Sequence, residues 1–367
     1  MTRPIVFFDE QIFTIQRYGG ISRYFFEMLR VLPGLAPDCD FRVVALLYIN
    51  EYLDLLPSSL VFGKKLPSFR FDRHLMRQVR PIGTNYLARC RNKKSLVHET
   101  YYADYEALRS GHSVITVYDM AHEIFPEFYP RDETVKNKRR AINRADHIVC
   151  ISQATASALS HFYPATRTKQ SVIYPGVDIA RMGSSINVKK EPIILYVGER
   201  TRYKNFWNLV RACAADDWLL RNFRLVCFGG GKFTSTELIL MHHFGLPDGF
   251  AVQKPGNDEE LASYYAQAAL FVYPSTCEGF GIPIIEAMAA RCPVCCSDIA
   301  SFKEIAAGCA NFFPPESVEA LSATIRMLVE TSPSSKMLDI GERIAKTFTW
   351  EACAQKHVEI YRRVMDL

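Results

Sequence analysis

Ser275-Thr-Cys-Glu278-Gly-Phe-Gly-Ile-Pro-Ile-Ile-Glu286 is the stretch on which the fold turns. It follows an apolar run from Ala268 to Pro274, which reads as a buried strand ended by proline. Two carboxylates, Glu278 and Glu286, bracket a Gly-Phe-Gly turn. Pro283 suits the first position of a helix, because its missing N–H is not needed there. Free N–H groups at such a helix start, with the positive end of the dipole, form an anion site. Gly279 and Gly281 let the backbone approach a ligand closely. Glu278 and Glu286 are too far apart for one helical face, so Glu278 belongs to the turn and Glu286 about one turn into the helix. The pattern suits a phosphate held beside a hydroxyl-rich group.

The segment EGFGIPIIEAMAARCPV resembles the donor-site signature of the retaining family-4 glycosyltransferases. The likeness continues at Tyr196-Val-Gly-Glu-Arg-Thr-Arg-Tyr-Lys-Asn205, at Gly19-Gly20, at Thr116-Val-Tyr-Asp119, and at Thr349-Trp350 before a last helix. It implies the α/β GT-B fold: two Rossmann-like parallel-sheet domains facing a cleft, with a C-terminal helix crossing back to the N-domain. The expected division is 1–178 for the acceptor-binding domain, 179–349 for the donor-binding domain and 350–367 for the returning helix.

The resemblance implies site residues as well. Glu278 is expected at the hydroxyls of the donor sugar and Glu286 at the ribose hydroxyls. The backbone of Gly279, Phe280, Gly281 and Ile282 would hold sugar and phosphate oxygens. An ionised carboxylate suits this work because it accepts strong bonds from vicinal hydroxyls. Arg200 and Lys204, just after the strand Ile193–Val197, are expected to stabilise the leaving diphosphate. In the family the arginine often directly follows the glycine; here Glu199 intervenes, and Arg202 is a minor rival. Gly19 and Gly20 should lie against donor phosphate or acceptor. Where relatives carry a histidine before Asp119, this chain has Tyr118. Asp119 is a candidate on the acceptor or sugar side or a cap for the next segment, and His122 is either a substitute for the missing histidine or an incidental loop residue.

No metal is expected. Asp38-Cys-Asp40 precedes a strand, whereas the metal-binding pair of the other transferase fold ends one. Gly229-Gly-Gly-Lys232 lacks the spacing of a phosphate-binding loop and of the dinucleotide pattern, and reads as a turn near the nucleobase. No cofactor is therefore expected beyond a nucleotide diphosphate sugar as co-substrate.

The 367 residues suit two domains. A composition 49% hydrophobic and 23% charged is that of a globular protein. No run approaches the roughly 20 apolar residues of a spanning helix, and no signal peptide is visible, so a cytoplasmic protein is expected. Eleven cysteines, odd in number and scattered, fit a reducing compartment. Cys292-Pro-Val-Cys295-Cys296 reads as core packing, since it begins a buried strand and lacks a second ligand pair.

The net charge of +5 is unevenly placed. Residues 63–95 hold ten Lys or Arg against Asp72 alone, giving that window +9 and the rest of the chain −4. Apolar residues lie among the charges at roughly helical spacing. The window reads as an element for an anionic membrane surface, peripheral on the inner leaflet, or as a solvated basic face. No nucleic-acid reader motif accompanies it.

Strand-like and helix-like patterns alternate in both halves, which implies parallel sheets with ligands beyond the carboxyl ends of the strands. Ile179 to Pro192 reads as a polar interdomain linker, and Ser301-Phe-Lys-Glu304 as a capping box. The function expected is transfer of a hexose, with mannose from GDP-mannose favoured on overall likeness. The acceptor is expected to be a growing, lipid-linked cell-surface glycan, and the configuration to be retained. The alternatives are a nucleotide-sugar epimerase or hydrolase on the same fold, and a non-catalytic sugar-nucleotide-binding subunit.

Overall fold

The computed structural model describes residues 3–66, 82, 87, 94–102, 112–183, 188–331 and 333–367. Most of the basic window lies outside them. The chain divides into two compact units, Met1–Gly176 with Trp350–Leu367, and Val177–Thr349.

The first unit is built on a parallel sheet in the order β3-β2-β1-β4-β5-β6-β7. The strands are β1 (Ile5–Asp9), β2 (Asp40–Tyr48), β3 (Val61–Lys65), β4 (Ser95–Glu99), β5 (His112–Val117), β6 (His147–Cys150) and β7 (Gln170–Val172). The central strands carry nearly continuous apolar residues because helices cover both faces. Val6, Phe8, Leu96, Val97, Val114, Ile115 and Ile148 are all buried. Helix Gly20–Leu35 follows β1 and turns Phe25, Met28, Leu29 and Leu32 inward. The C-terminal helix Trp350–Val364 returns to this unit and packs against helix Gly20–Leu35.

The second unit carries a parallel sheet in the order β10-β9-β8-β11-β12-β13. Its strands are β8 (Glu191–Val197), β9 (Arg224–Phe228), β10 (Ala251–Lys254), β11 (Ala268–Tyr273), β12 (Val294–Ser297) and β13 (Asn311–Phe313). Helix Phe206–Ala214 buries Phe206, Leu209, Val210 and Cys213 in one core with Ile194, Tyr196, Leu225 and Leu270.

Both sheets have the doubly wound topology, and each reverses direction at one junction: β1/β4 in the first unit and β8/β11 in the second. Ligands of such sheets sit beyond the strand ends at that junction.

Three local expectations need correction. Ile179–Gly183 is a helix, not a linker. It packs against helices Asp258–Gln267 and Ile282–Ala289 and fully buries Met182. Ser301 does not cap a helix: Ile299 holds the cap position of helix Ala300–Ala306, and Ser301 lies inside it. Reciprocal capping boxes occur instead at Thr234 with Glu237 and at Asn257 with Glu260. Pro283 is the second residue of helix Ile282–Ala289 rather than the first, which costs equally little because neither position has an intrahelical acceptor for its N–H. Cys292, Cys295 and Cys296 are buried, and burial pushes the Cys292 thiol up to about 12.

Candidate active site

At the β8/β11 junction of the second unit, two loops are stitched together. The Thr276 N–H and hydroxyl both donate to the Tyr203 carbonyl, at 2.7 and 3.2 Å. This holds the loop after β11 against the loop after β8. Lys204 ends a short 3-10 turn, and Asn205 leaves it with a left-handed backbone, φ 56°. Lys204 Nζ thereby reaches Glu278 Oε1 at 2.6 Å, and the Tyr273 hydroxyl donates to the same oxygen at 2.8 Å. Burial alone would depress the lysine; the charge of Glu278 and its hydrogen bond, with Tyr203, outweigh that and hold its pKa raised. The ammonium therefore stays charged at neutral pH. Both side chains keep some exposure, 20% for Lys204 and 14% for Glu278, so a ligand at the strand ends can reach them.

Glu286 is the fifth residue of helix Ile282–Ala289, as the spacing predicts. It is only 3% exposed and accepts a hydrogen bond from the Tyr265 hydroxyl at 3.3 Å. Gly281 holds the cap position of that helix with φ 123°, and a Cβ there would come within 3.0 Å of Ile305 and 3.2 Å of Phe302. Gly279 and Phe280 are buried in the same turn. The Phe280 ring packs edge-on against Phe348.

Arg200 has a different setting from the one its sequence position suggests. Its side chain is 3% exposed, and each of its three nitrogens donates within the protein. Nε bonds Glu237 at 2.8 Å; Nη1 bonds the Gly229 carbonyl; Nη2 bonds the carbonyls of Gly230, Gly231 and Lys232 at 3.0 to 3.2 Å. Arg202 is exposed, with a left-handed backbone of φ 50°. Nothing local in the sequence pairs Arg200 with a loop some thirty residues on, so these partners were missed.

In the first unit, Asp9 ends β1 beside Thr100, which follows β4. The Asp9 carboxylate accepts the Thr100 N–H at 3.0 Å and its hydroxyl at 2.5 Å, and burial raises its pKa. Gly19 precedes helix Gly20–Leu35 with the Gln16 side chain folded over it. A Cβ on Gly19 would lie 2.3 Å from Gln16 Oε1, which itself accepts the Ser22 N–H at 3.1 Å. A Cβ on Gly20 would meet only open space.

Tyr118 is buried, and its hydroxyl donates to the Thr100 carbonyl at 3.0 Å. Asp119 caps the next turn by accepting the Ala121 N–H at 3.0 Å. His122 stacks on Tyr129 and lies 3.3 Å from Asp132. Sequence reasoning passed over Lys138, which is fully buried on helix Thr134–Arg144. Its ammonium donates to the Asp119 carbonyl at 3.0 Å and to Glu123 at 2.7 Å, which fixes the segment carrying Asp119 and His122.

Asp38 and Asp40 form ion pairs with Arg362 and Arg3. Among the described residues, no group of three or more His, Cys, Asp or Glu is placed to hold a metal.

Comparison with known proteins identifies the family. Residues 180–346 match the family described as glycosyl transferases group 1, and residues 18–181 the one described as glycosyltransferase family 4. The chain belongs to the family-4 glycosyltransferases. It is 27% identical to O-antigen chain mannosyltransferase B of Escherichia coli, over 94% of this chain and 96% of that protein. It is 28% identical to the O-antigen chain mannosyltransferase RfbU of Salmonella typhimurium, over 56% of this chain and 58% of that one. Its fold is similar to that of Anabaena Alr3699/HepE in complex with UDP-glucose. That match has a TM-score of 0.73 and 17% identity, and covers 98% of this chain and all of the other. This glycosyltransferase therefore has the GT-B architecture, with its Glu278–Glu286 motif on the unit matched by the group 1 family.

Proposed function

We propose that this glycosyltransferase moves mannose from a nucleoside-diphosphate sugar onto a growing lipid-linked glycan, with retention of configuration. The observation that carries the donor chemistry is the Lys204–Glu278 pair at the β8/β11 junction. Glu278 accepts hydroxyls of the sugar, while the Lys204 ammonium faces the diphosphate that gains charge as the glycosidic bond breaks. Preorganised charge of this kind is a large catalytic term. Glu286, held from behind by Tyr265, takes the ribose hydroxyls. With Lys204 in the cation's place the reaction proceeds without a metal. The leaving phosphate takes the acceptor proton on the face where the bond broke, which preserves the anomeric configuration.

The likeness to two O-antigen mannosyltransferases supports mannose and a lipid-linked acceptor. The basic window at 63–95 supports work at an anionic leaflet. The test offers the purified protein GDP-mannose and UDP-glucose with an undecaprenyl-linked glycan in excess EDTA, and the product anomer is read by NMR. Transfer of mannose to an α-linked product is expected. Transfer from UDP-glucose alone overturns the donor assignment, an inverted product overturns retention, and activity that needs manganese overturns the role of Lys204.

A further inference from the structure

Arg200 was the natural partner for Lys204 at the diphosphate, yet its geometry points elsewhere. Gly229, Gly230 and Gly231 follow β9 with three successive left-handed conformations, φ 79°, 66° and 73°. Residues with a side chain adopt this backbone only under strain, and never routinely in a run. The turn aims consecutive carbonyls toward one point, and the Arg200 guanidinium occupies that point. The fit leaves no slack: a Cβ on Gly230 would lie 2.7 Å from Arg200 Nη1 and 2.7 Å from the Gly198 carbonyl. The Phe233 ring closes the other face, its centroid 4.7 Å from the guanidinium carbon. Glu237 completes the cage, because it bonds Arg200 and also caps helix Ser235–His243. A fork of five donors makes such a cage possible, and a lysine cannot reproduce it.

A residue that stabilises a leaving group needs N–H groups aimed at the ligand. The Arg200 nitrogens are aimed at the protein. What Arg200 controls is the shape of the loop beyond β9, which pairs with β8 on the side of the junction away from β11. A donor with its diphosphate at Lys204 and its ribose at Glu286 would have its base left to meet a neighbouring loop, and Gly229–Gly231 follow β9, the strand paired with β8.

We infer that Arg200 is a positioning residue of the donor site: it holds Gly229–Gly231 in the shape that receives the nucleoside end of the donor, and does not contact the diphosphate. The inference rests on the donor reading proposed above.

The test compares Arg200→Lys, Glu237→Gln and Lys204→Ala in the full-length protein, using calorimetry with GDP and GMP alongside steady-state kinetics. Arg200→Lys should weaken GDP and GMP by the same factor, about tenfold, since hydrogen bonds to a charged group are lost. KM for the donor should rise with it, while kcat at saturating donor stays within about threefold. Lys204→Ala should show the opposite split, with weakening confined to GDP and kcat down about 100-fold. Glu237→Gln leaves the cation in place and should move with Arg200→Lys, which covers the case where the arginine variant does not fold.

Loss of GDP affinity with GMP binding intact, together with a fall in kcat like that of Lys204→Ala, overturns the inference. A wild type that binds neither GDP nor UDP instead sinks the donor reading. In that case amide exchange across residues 229–234 in ligand-free protein still decides the loop: it should quicken in Arg200→Lys, and unchanged protection overturns the positioning role.

Discussion

Glu278 and Glu286 share a motif, but their surroundings give them separate tasks. Glu278 stands in a turn with a lysine and a tyrosine hydroxyl on one oxygen, partly open to solvent. Glu286 sits inside a helix, buried against Tyr265. Glu278→Gln should therefore impair discrimination between sugar nucleotides more than binding of the free nucleoside diphosphate, while Glu286→Gln should weaken the nucleotide itself. Calorimetry with GDP alone separates the two, and an equal loss in both variants would show that the roles are misassigned. Gly281→Ala should raise the donor KM without abolishing folding. The added Cβ meets the movable ends of Ile305 and Phe302, but the φ of 123° strains the turn that presents the N–H groups. These residues were legible in the sequence because the strand, the turn and the helix start are contiguous in it. Arg200 was not, since its environment depends on a loop brought alongside only by the pairing of β8 with β9. Tyr118 was not either: its hydroxyl partner follows β4, a strand whose pattern was not recognised.

At the scale of elements, strong apolar runs such as β1, β5, β6, β8, β9 and β11 could be read directly. The short strands β7, β10 and β13 and the edge strand β3 could not. Three to five residues with partial exposure carry too little periodicity, and sheet pairing rather than propensity makes them strands. The C-terminal helix is anchored by contacts that no local pattern announces. His357 donates from Nδ1 to the Cys353 carbonyl at 2.8 Å, so its Nε2 accepts from the Tyr24 hydroxyl at 3.0 Å. Its ring stacks at 5.6 Å on His98, which is bonded to Tyr361 and Thr116. Burial holds His98 well below the ordinary histidine value and pushes His357 down to about 4. At neutral pH both are uncharged in the folded and unfolded states, and nothing is lost. As pH falls through about 6.5 the unfolded chain takes up protons that the folded chain refuses, so stability falls until His357 itself titrates near 4. Its share of the loss is about 3 kcal/mol, at roughly 1.4 kcal/mol per unit of pKa difference. The melting temperature should therefore drop between pH 7 and pH 5, and His357→Gln should flatten that slope. An unchanged slope in the variant would place the acid sensitivity elsewhere.

Over the whole molecule, the sequence is electrically lopsided, and the lopsidedness bears on where the reaction takes place. No described helix is long and apolar enough to cross a membrane. If the acceptor is lipid-linked, as proposed above, the protein must nonetheless meet it at a bilayer. The cationic excess lies entirely in residues 63–95, while the remainder of the chain is net negative. An anionic surface would therefore attract that window and repel the rest, which orients the protein as well as binding it. Lys and Arg near such a surface contribute about 1 kcal/mol each, so a handful suffices for reversible association. Reversing Arg73, Arg77 and Arg80 to Glu changes the local charge by six and should release the protein from liposomes of phosphatidylglycerol in a sedimentation assay. Wild-type binding should fall as salt rises from 50 to 500 mM, since screening shortens to a few ångströms over about that range. Transfer to a short soluble acceptor should survive in the triple variant, because Lys204, Glu278 and Glu286 all belong to the other unit. Loss of transfer to the soluble acceptor would make the window part of the acceptor site. A wild type indifferent to anionic liposomes at low salt would leave the window a solvated face and remove its support for the proposed lipid-linked acceptor.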